Sequence, residues 1–156
     1  MNAMWLAGFF DGEGCINITV RGKNRQVVLR IMLANTDYAL LQKIQKHFGG
    51  SLTRRPHKKH PEWKPFCCLT WTHSAAFALL HTLRPLLQLK NAQAQLALEF
   101  YEFQSLPKTE RCELYFNGRL NRGGHRTQYR RTQETLAKEL DFKRRMGILN
   151  QKGVLQ

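Results

Sequence analysis

Leu6-Ala7-Gly8-Phe9-Phe10-Asp11-Gly12-Glu13-Gly14 is an apolar, helix-compatible run that stops abruptly in two acids set among glycines. The helical pattern extends from Ala3 to Gly12, and Gly12 and Gly14 bracket its end, as glycines do at helix C-termini. This run opens a chain of 156 residues with a formal net charge of +14, yet residues 1–20 contain no Lys or Arg. An acidic island at the end of an apolar helix, in so basic a chain, is a place to hold a cation. A basic chain with a bound divalent cation points to chemistry on a phosphate backbone.

Outward from this run the pattern changes period. Residues 16–21 alternate, with Ile16, Ile18 and Val20 on one face and Asn17, Thr19 and Arg21 on the other, which predicts a half-buried strand. Gly22 to Asn24 supplies a turn, and Gln26 to Leu33 a second strand, completing a hairpin. Thr36 can cap a following helix whose face is Leu40, Leu41, Ile44 and Phe48, and Gly49-Gly50 stops it. The order then repeats. Residues 51–55 and 66–72 read as two strands joined by a basic loop containing Pro56, Pro61 and Pro65. Ser74 can cap a helix with Phe77, Leu80 and Leu83 that ends before Pro85. A further helix runs from about Asn91 to Phe103 with Ala92, Leu96, Phe100 and Phe103 on one stripe. The expected fold is α+β, in the order α-ββα-ββα, with one antiparallel sheet and helices on one face.

The domain organisation expected is a core over residues 1–106 and a basic C-terminal extension over 107–156 attached to the same domain. Residues 118–131 hold five arginines, three glycines and no acid; such a segment reads as flexible and ordered on DNA. Residues 132–146 carry Leu136, Leu140 and Met146 at helical spacing. With 42% apolar residues the chain is globular. No apolar run approaches the ~20 residues of a membrane span, and the N-terminus lacks the basic region of a signal peptide. Cys15, Cys67, Cys68 and Cys112 form no disulfide framework, so reduced thiols in an intracellular protein are expected.

Only four acids occur in residues 1–98: Asp11, Glu13, Asp37 and Glu62. Basic residues gather on the first hairpin at Arg21, Lys23, Arg25 and Arg30, and on the second at Arg54, Arg55, Lys58, Lys59 and Lys64. A solvated face is the ordinary reading of one such strand. Two hairpins with the same bias instead suggest a surface for a duplex, since a β-ribbon fits the major groove. Asn17, Thr19, Gln26, Arg30, Thr53, Arg55 and Thr70 mix donors and acceptors, as base reading requires. Gly8 and Gly12 lie four apart, so two such helices can approach closely across a two-fold axis. The acids at both helix ends would then meet near that axis and share divalent metals.

At this point Leu6–Gly14 resembles the signature of the LAGLIDADG homing endonucleases. Leu6, Ala7, Gly8, Asp11 and Gly14 are identical to it, Phe9 and Phe10 replace apolar residues, Gly12 a small one and Glu13 an acid. The α-ββα-ββα order matches as well, so the resemblance covers roughly residues 3–106. One motif implies the homodimeric branch, with a dimer interface drawn from Leu6, Ala7, Gly8, Phe9, Asp11 and Gly12. The resemblance implies that Glu13 is a metal ligand and catalytic, with the Gly12 carbonyl a further ligand. It implies that Lys90, in Leu86-Leu87-Gln88-Leu89-Lys90-Asn91, supports catalysis. Where the family often carries a water-positioning Gln near the second strand's end, this chain reads Leu33-Ala34-Asn35-Thr36. Asp11 is open between a structural role at the helix end and support of the metal.

The function so implied is site-specific, Mg²⁺-dependent DNA cleavage for intron homing, giving a staggered double-strand break. Mn²⁺ is expected to substitute, and Ca²⁺ to support binding without cleavage. A compact chain of this length has a radius of gyration of ~15 Å, so a dimer spans roughly 70–80 Å. At ~3.4 Å per base pair that is a pseudo-palindromic site of about 20 bp. The protein would reside with its host genome, organellar, bacterial or phage. The alternatives are a non-cleaving DNA-binding regulator, or a maturase acting on intron RNA. His57, His60, Cys67 and Cys68 fit no common structural zinc spacing, and Trp63 is the one aromatic placed to touch DNA.

Overall fold

The computed structural model describes residues 1–22, 25–57, 60, 62–116 and 127–151. Helix α1 (Ala3–Glu13) is capped by Asn2, whose side chain accepts from the Trp5 amide at 2.9 Å. It passes without a loop into β1 (Gly14–Arg21). That sharp exit requires glycine at 14: a Cβ there would lie 2.5 Å from the Phe10 carbonyl oxygen and 2.6 Å from the Phe10 ring. Strand β2 (Gln26–Asn35) returns antiparallel, with Asn17 opposite Arg30 and Arg21 opposite Gln26. Helix α2 (Tyr38–Phe48), strands β3 (Ser51–Arg55) and β4 (Phe66–Thr72) and helix α3 (His73–Leu83) repeat the pattern. A 3-10 turn over Arg84–Leu86 leads to α4 (Asn91–Ser105). The sheet is antiparallel in the order β1-β2-β4-β3.

Two helix starts differ from the sequence expectation. Asp37, not Thr36, caps α2, accepting from the Leu40 amide at 2.9 Å, because the Asn35 side chain already binds the Asp37 amide at 2.8 Å. Helix α3 begins at His73, ahead of Ser74, with Thr72 at the cap position and no side-chain capping bond. Gly49 and Gly50 stop α2 with φ of 68° and 96°. Glycine at 50 lets the backbone pass under Trp71, whose indole N–H donates to the Phe48 carbonyl at 2.9 Å.

One apolar cluster joins the helices to the inner sheet face. It includes Leu6, Phe10, Ile16, Ile18, Leu29, Ile31, Leu33, Ile44, Leu69, Trp71, Leu80 and Phe100. Ala92, expected on the buried stripe of α4, is exposed; Ala94, Ala97 and Leu98 are buried instead. Beyond Pro107 a short helix α5 (Lys108–Arg111) leads to the hairpin β5 (Cys112–Phe116) and β6 (Thr127–Arg131), and then to α6 (Gln133–Leu149). Of the Arg-rich segment, residues 127–131 form β6, and residues 118–126 lie outside the described residues. Met146 of α6 enters the main core. Asn150 then donates to the Ile16 carbonyl at 2.9 Å, satisfying an acceptor on β1, the edge strand. No helix among the described residues is long and apolar enough to cross a membrane.

Candidate nucleic-acid interface

Strand alternation divides the sheet into a face under the helices and a face away from them. Register places rows on the outer face: Arg21 with Gln26; Thr19 with Val28; Asn17 with Arg30 and Thr72; Cys15 with Met32, Thr70 and Ser51. Farther along lie Ala34 with Cys68 and Thr53, then Phe66 with Arg55. Asn17, Thr19, Arg21, Gln26, Arg30, Thr53, Arg55 and Thr70, expected from sequence to read DNA, therefore share one surface.

Their engagement differs. The Asn17 amide donates to Cys15 Sγ at 2.9 Å and accepts from Asn150 at 3.1 Å. Thr53 donates to the Cys68 carbonyl at 3.3 Å, and the Thr70 hydroxyl lies 3.5 Å from Cys68 Sγ. The side chains of Arg21, Gln26 and Arg55 are exposed and bond to no described residue. Thr19 Oγ1 and Arg30 Nε are buried, yet have no hydrogen-bond partner. Buried polar atoms left so are uncommon, because desolvation without a partner is unfavourable.

Arg54 departs from the expectation. Paired with Cys67, it stands on the helix side, and its guanidinium lies over the Tyr38 ring at 5.5 Å from the centroid. Arg25 is exposed in the turn, with φ of 49°; Lys23 lies outside the described residues. Trp63 is exposed, and its ring stacks on His60 at 4.2 Å and lies 4.8 Å from His57. Cys67 and Cys68 are buried on opposite faces of β4.

The acidic end of α1 lies where the helix meets this sheet. Asp11 is buried, and both its carboxylate oxygens are engaged within the chain. Oδ2 accepts from the Gln88 amide at 2.7 Å and Oδ1 from the Lys90 amide at 3.0 Å. The Lys90 ammonium in turn donates to the Asp11 carbonyl. That arrangement places a cation against the C-terminal end of a helix, the favourable end of its dipole. Glu13, two residues on, is exposed and bonds to no described residue. Gly12 is exposed in the last turn, where helix carbonyls lose their intrahelical partners. Ala34 stands on the outer face, and Asn35 is engaged in capping Asp37.

The expected interface residues separate into two groups. Leu6 and Ala7 are fully buried in the chain's own core, so neither is available to a second molecule, and Asp11 is held as above. Gly8 and Gly12 are exposed, with nothing within 4 Å of a Cβ built at either. The same face carries Met4, 70% exposed, and Trp5, 44% exposed, which stacks on the half-buried Phe9 at 5.2 Å. Trp5, with Phe9 and Phe10, reads from the sequence as core or interface; Met4 was not singled out. The i, i+4 series Met4, Gly8, Gly12 was the available signal for it.

Comparison with known proteins places this arrangement. The family model described as LAGLIDADG endonuclease matches residues 6–105. The DNA endonuclease I-CvuI of Chlorella vulgaris is 34% identical over 113 residues, 68% of this chain and 66% of that relative. The chain thus matches just under two thirds of that relative's length. A crystal structure of I-CvuI with its target in the presence of calcium superposes with a TM-score of 0.70 at 23% identity, covering 99% of this chain and 85% of that one. The archaeal intron-encoded homing endonuclease I-Vdi141I complexed with DNA gives 0.68 at 10% identity, covering 99% and 87%. With a match that runs through the motif helix, both hairpins and α4, this chain belongs to the LAGLIDADG endonuclease family.

Proposed function

We propose that the protein is a site-specific DNA endonuclease that acts as two copies on a pseudo-palindromic duplex of about 20 bp and serves intron homing. The observation that carries the reading is the junction at Gly14. An exposed carboxylate at Glu13, bonded to no described residue, adjoins the β1–β2 hairpin, whose outer face holds Arg21 and Thr19 on β1 and Arg30 on β2, with Thr19 Oγ1 and Arg30 Nε buried and without a hydrogen-bond partner. On this reading a cation site at the end of α1 and a polyanion-binding face on the first hairpin are joined by the α1–β1 junction. The relatives support the same reading, since I-CvuI and I-Vdi141I were crystallised with DNA, and the latter is intron-encoded.

The donor set suits a hard cation such as Mg²⁺. Glu13 offers a carboxylate free of protein partners, and the Gly12 carbonyl stands beside it. Among the described residues no group of three or more His, Cys, Asp and Glu side chains converges. One chain therefore offers few ligands, which fits an ion that keeps several waters or is shared between two copies. A bound divalent cation supplies Lewis-acid stabilisation of phosphate charge and acidifies water. The residues' own contributions are separable: Glu13 holds the cation, and Lys90 offsets charge gathering on the phosphate as the 3′-oxygen leaves. Asp11 fixes the backbone at Gln88 and Lys90, so the ammonium keeps its place. The outer-face residues hold the duplex in register.

The test selects bound duplexes from a random pool in Ca²⁺, then assays the winner in Mg²⁺, with Mn²⁺ as a second ion. A pseudo-palindrome cut by wild type and bound but not cut by Glu13→Gln is expected. Tight binding with no Mg²⁺-dependent cutting would replace the endonuclease with a regulator. No DNA winner, with binding to intron RNA, would replace it with a maturase.

A further inference from the structure

The two hairpin strands extend past the rest of the sheet. β4 pairs with β2 only from Arg30 to Asn35, so residues 18–21 and 26–29 form a two-stranded ribbon with no third strand beside it. An isolated two-stranded ribbon is marginally stable in water. This one carries Thr19, Arg21 and Gln26, three of the outer-face residues.

Two side chains from separate elements bond the hairpin's backbone, and a third joins them. Gln104 of α4 donates to the Val27 carbonyl at 2.8 Å and to Glu139 of α6 at 3.1 Å. Glu139 is 1% exposed, and its second oxygen accepts from Arg131 of β6. Arg131 also donates to the Arg25 carbonyl at 3.0 Å. A buried carboxylate is tolerated only when paired and hydrogen-bonded, so the three groups hold one another in place.

We infer that Gln104, Glu139 and Arg131 form a latch by which the C-terminal elements set the pose of the β1–β2 ribbon on the target duplex. They are positioning residues: none lies on the outer face, and each acts through the two-stranded ribbon that carries Thr19 and Arg21 on β1 and Gln26 on β2. The inference rests on the reading of the outer face as the DNA-binding surface. The base pairs farthest from the α1 end are read through the ribbon, so their discrimination depends on the latch. Those under Arg30, Thr70 and Arg55 do not depend on it.

Two variants of the full chain test this: Gln104→Leu, which keeps the Glu139–Arg131 pair, and Glu139→Gln. Gln104→Leu carries the test if Glu139→Gln fails to fold. Each base pair of the selected site is substituted in turn and binding is measured in Ca²⁺, beside Arg21→Ala and Arg30→Ala as markers of position. Discrimination of 10- to 100-fold per base pair is typical of such sites. The latch variants should lose about 10-fold of it at the positions marked by Arg21→Ala and none at those marked by Arg30→Ala. Amide hydrogen exchange of the free variants should speed up in residues 18–21 and 26–29 and not in β4. An unchanged base-preference profile, or equal weakening at every position, overturns the latch. A wild-type protein that selects no duplex overturns instead the DNA-binding reading beneath it.

Discussion

Gly8→Ala separates two descriptions of the exposed face of α1 because its effect has opposite signs in them. In a solitary chain the substitution stabilises: a Cβ at Gly8 meets nothing within 4 Å. Replacing glycine by alanine inside an exposed helix is worth about 0.8–1 kcal/mol. For a chain of this size that is a rise in Tm of about 2–4 °C. If two copies pack this face together, each receives an extra methyl group in the closest part of the contact. Over-packing costs about 1–3 kcal/mol per site, and symmetry doubles it to roughly 2–6 kcal/mol. The dimer should then weaken on the order of 30- to 10,000-fold. Sedimentation equilibrium over a wide concentration range, with thermal melts of the dilute protein, reads both quantities. The expected outcome is a more stable monomer that associates far less. A higher Tm with association unchanged would falsify packing through Gly8 and move the interface elsewhere.

Other outcomes follow from the same geometry. Gly14→Ala drives a Cβ into the Phe10 carbonyl and ring; a loss of about 1–3 kcal/mol is expected by urea titration, with cleavage reduced in whatever remains folded because Glu13 shifts. Asp11→Ala leaves the Gln88 and Lys90 amides without their acceptor and should cost about 2–4 kcal/mol, whereas a free surface acid would cost almost nothing. Lys90→Met should slow single-turnover cleavage on the order of 100- to 1,000-fold while Ca²⁺-supported binding stays within a few-fold; a normal rate would remove Lys90 from the chemistry.

What the sequence made legible was local. Alternation at Ile16, Ile18 and Val20 identified β1 and its inner face, and the bounds expected for β3 and β4 are those observed. Parity also explains Arg54: its neighbours Thr53 and Arg55 point outward, so Arg54 points in. The run of basic residues concealed this. Helix α1 gave less, since an almost wholly apolar helix carries no contrast to say which side is inside. Leu6 and Ala7 were therefore grouped with Gly8, although they face the core. The α2 cap moved by one residue, to Asp37, where the Asn35 side chain accepts from the Asp37 amide, and the α3 cap position moved by two, to Thr72, which makes no side-chain capping bond. Nothing local announced the latch. Gln104 and Val27 are 77 residues apart, and Glu139 sits among ordinary helix-forming residues.

The passage from α1 to β1 without a loop makes the protein a ruler. The residue that would sit at the scissile phosphate and the strand that would read the first bases share one rigid piece of backbone. The distance from the cut to the recognised sequence is then a fixed length of chain and cannot stretch. Inserting a single base pair at the centre of a target moves the half-sites ~3.4 Å apart and rotates one by about a tenth of a turn. Such a target would be refused even with every recognised base intact. For an endonuclease of the kind proposed, the identity of the site can drift through substitutions on the outer face, while the distance from the cut to the first bases read is held by the junction at Gly14.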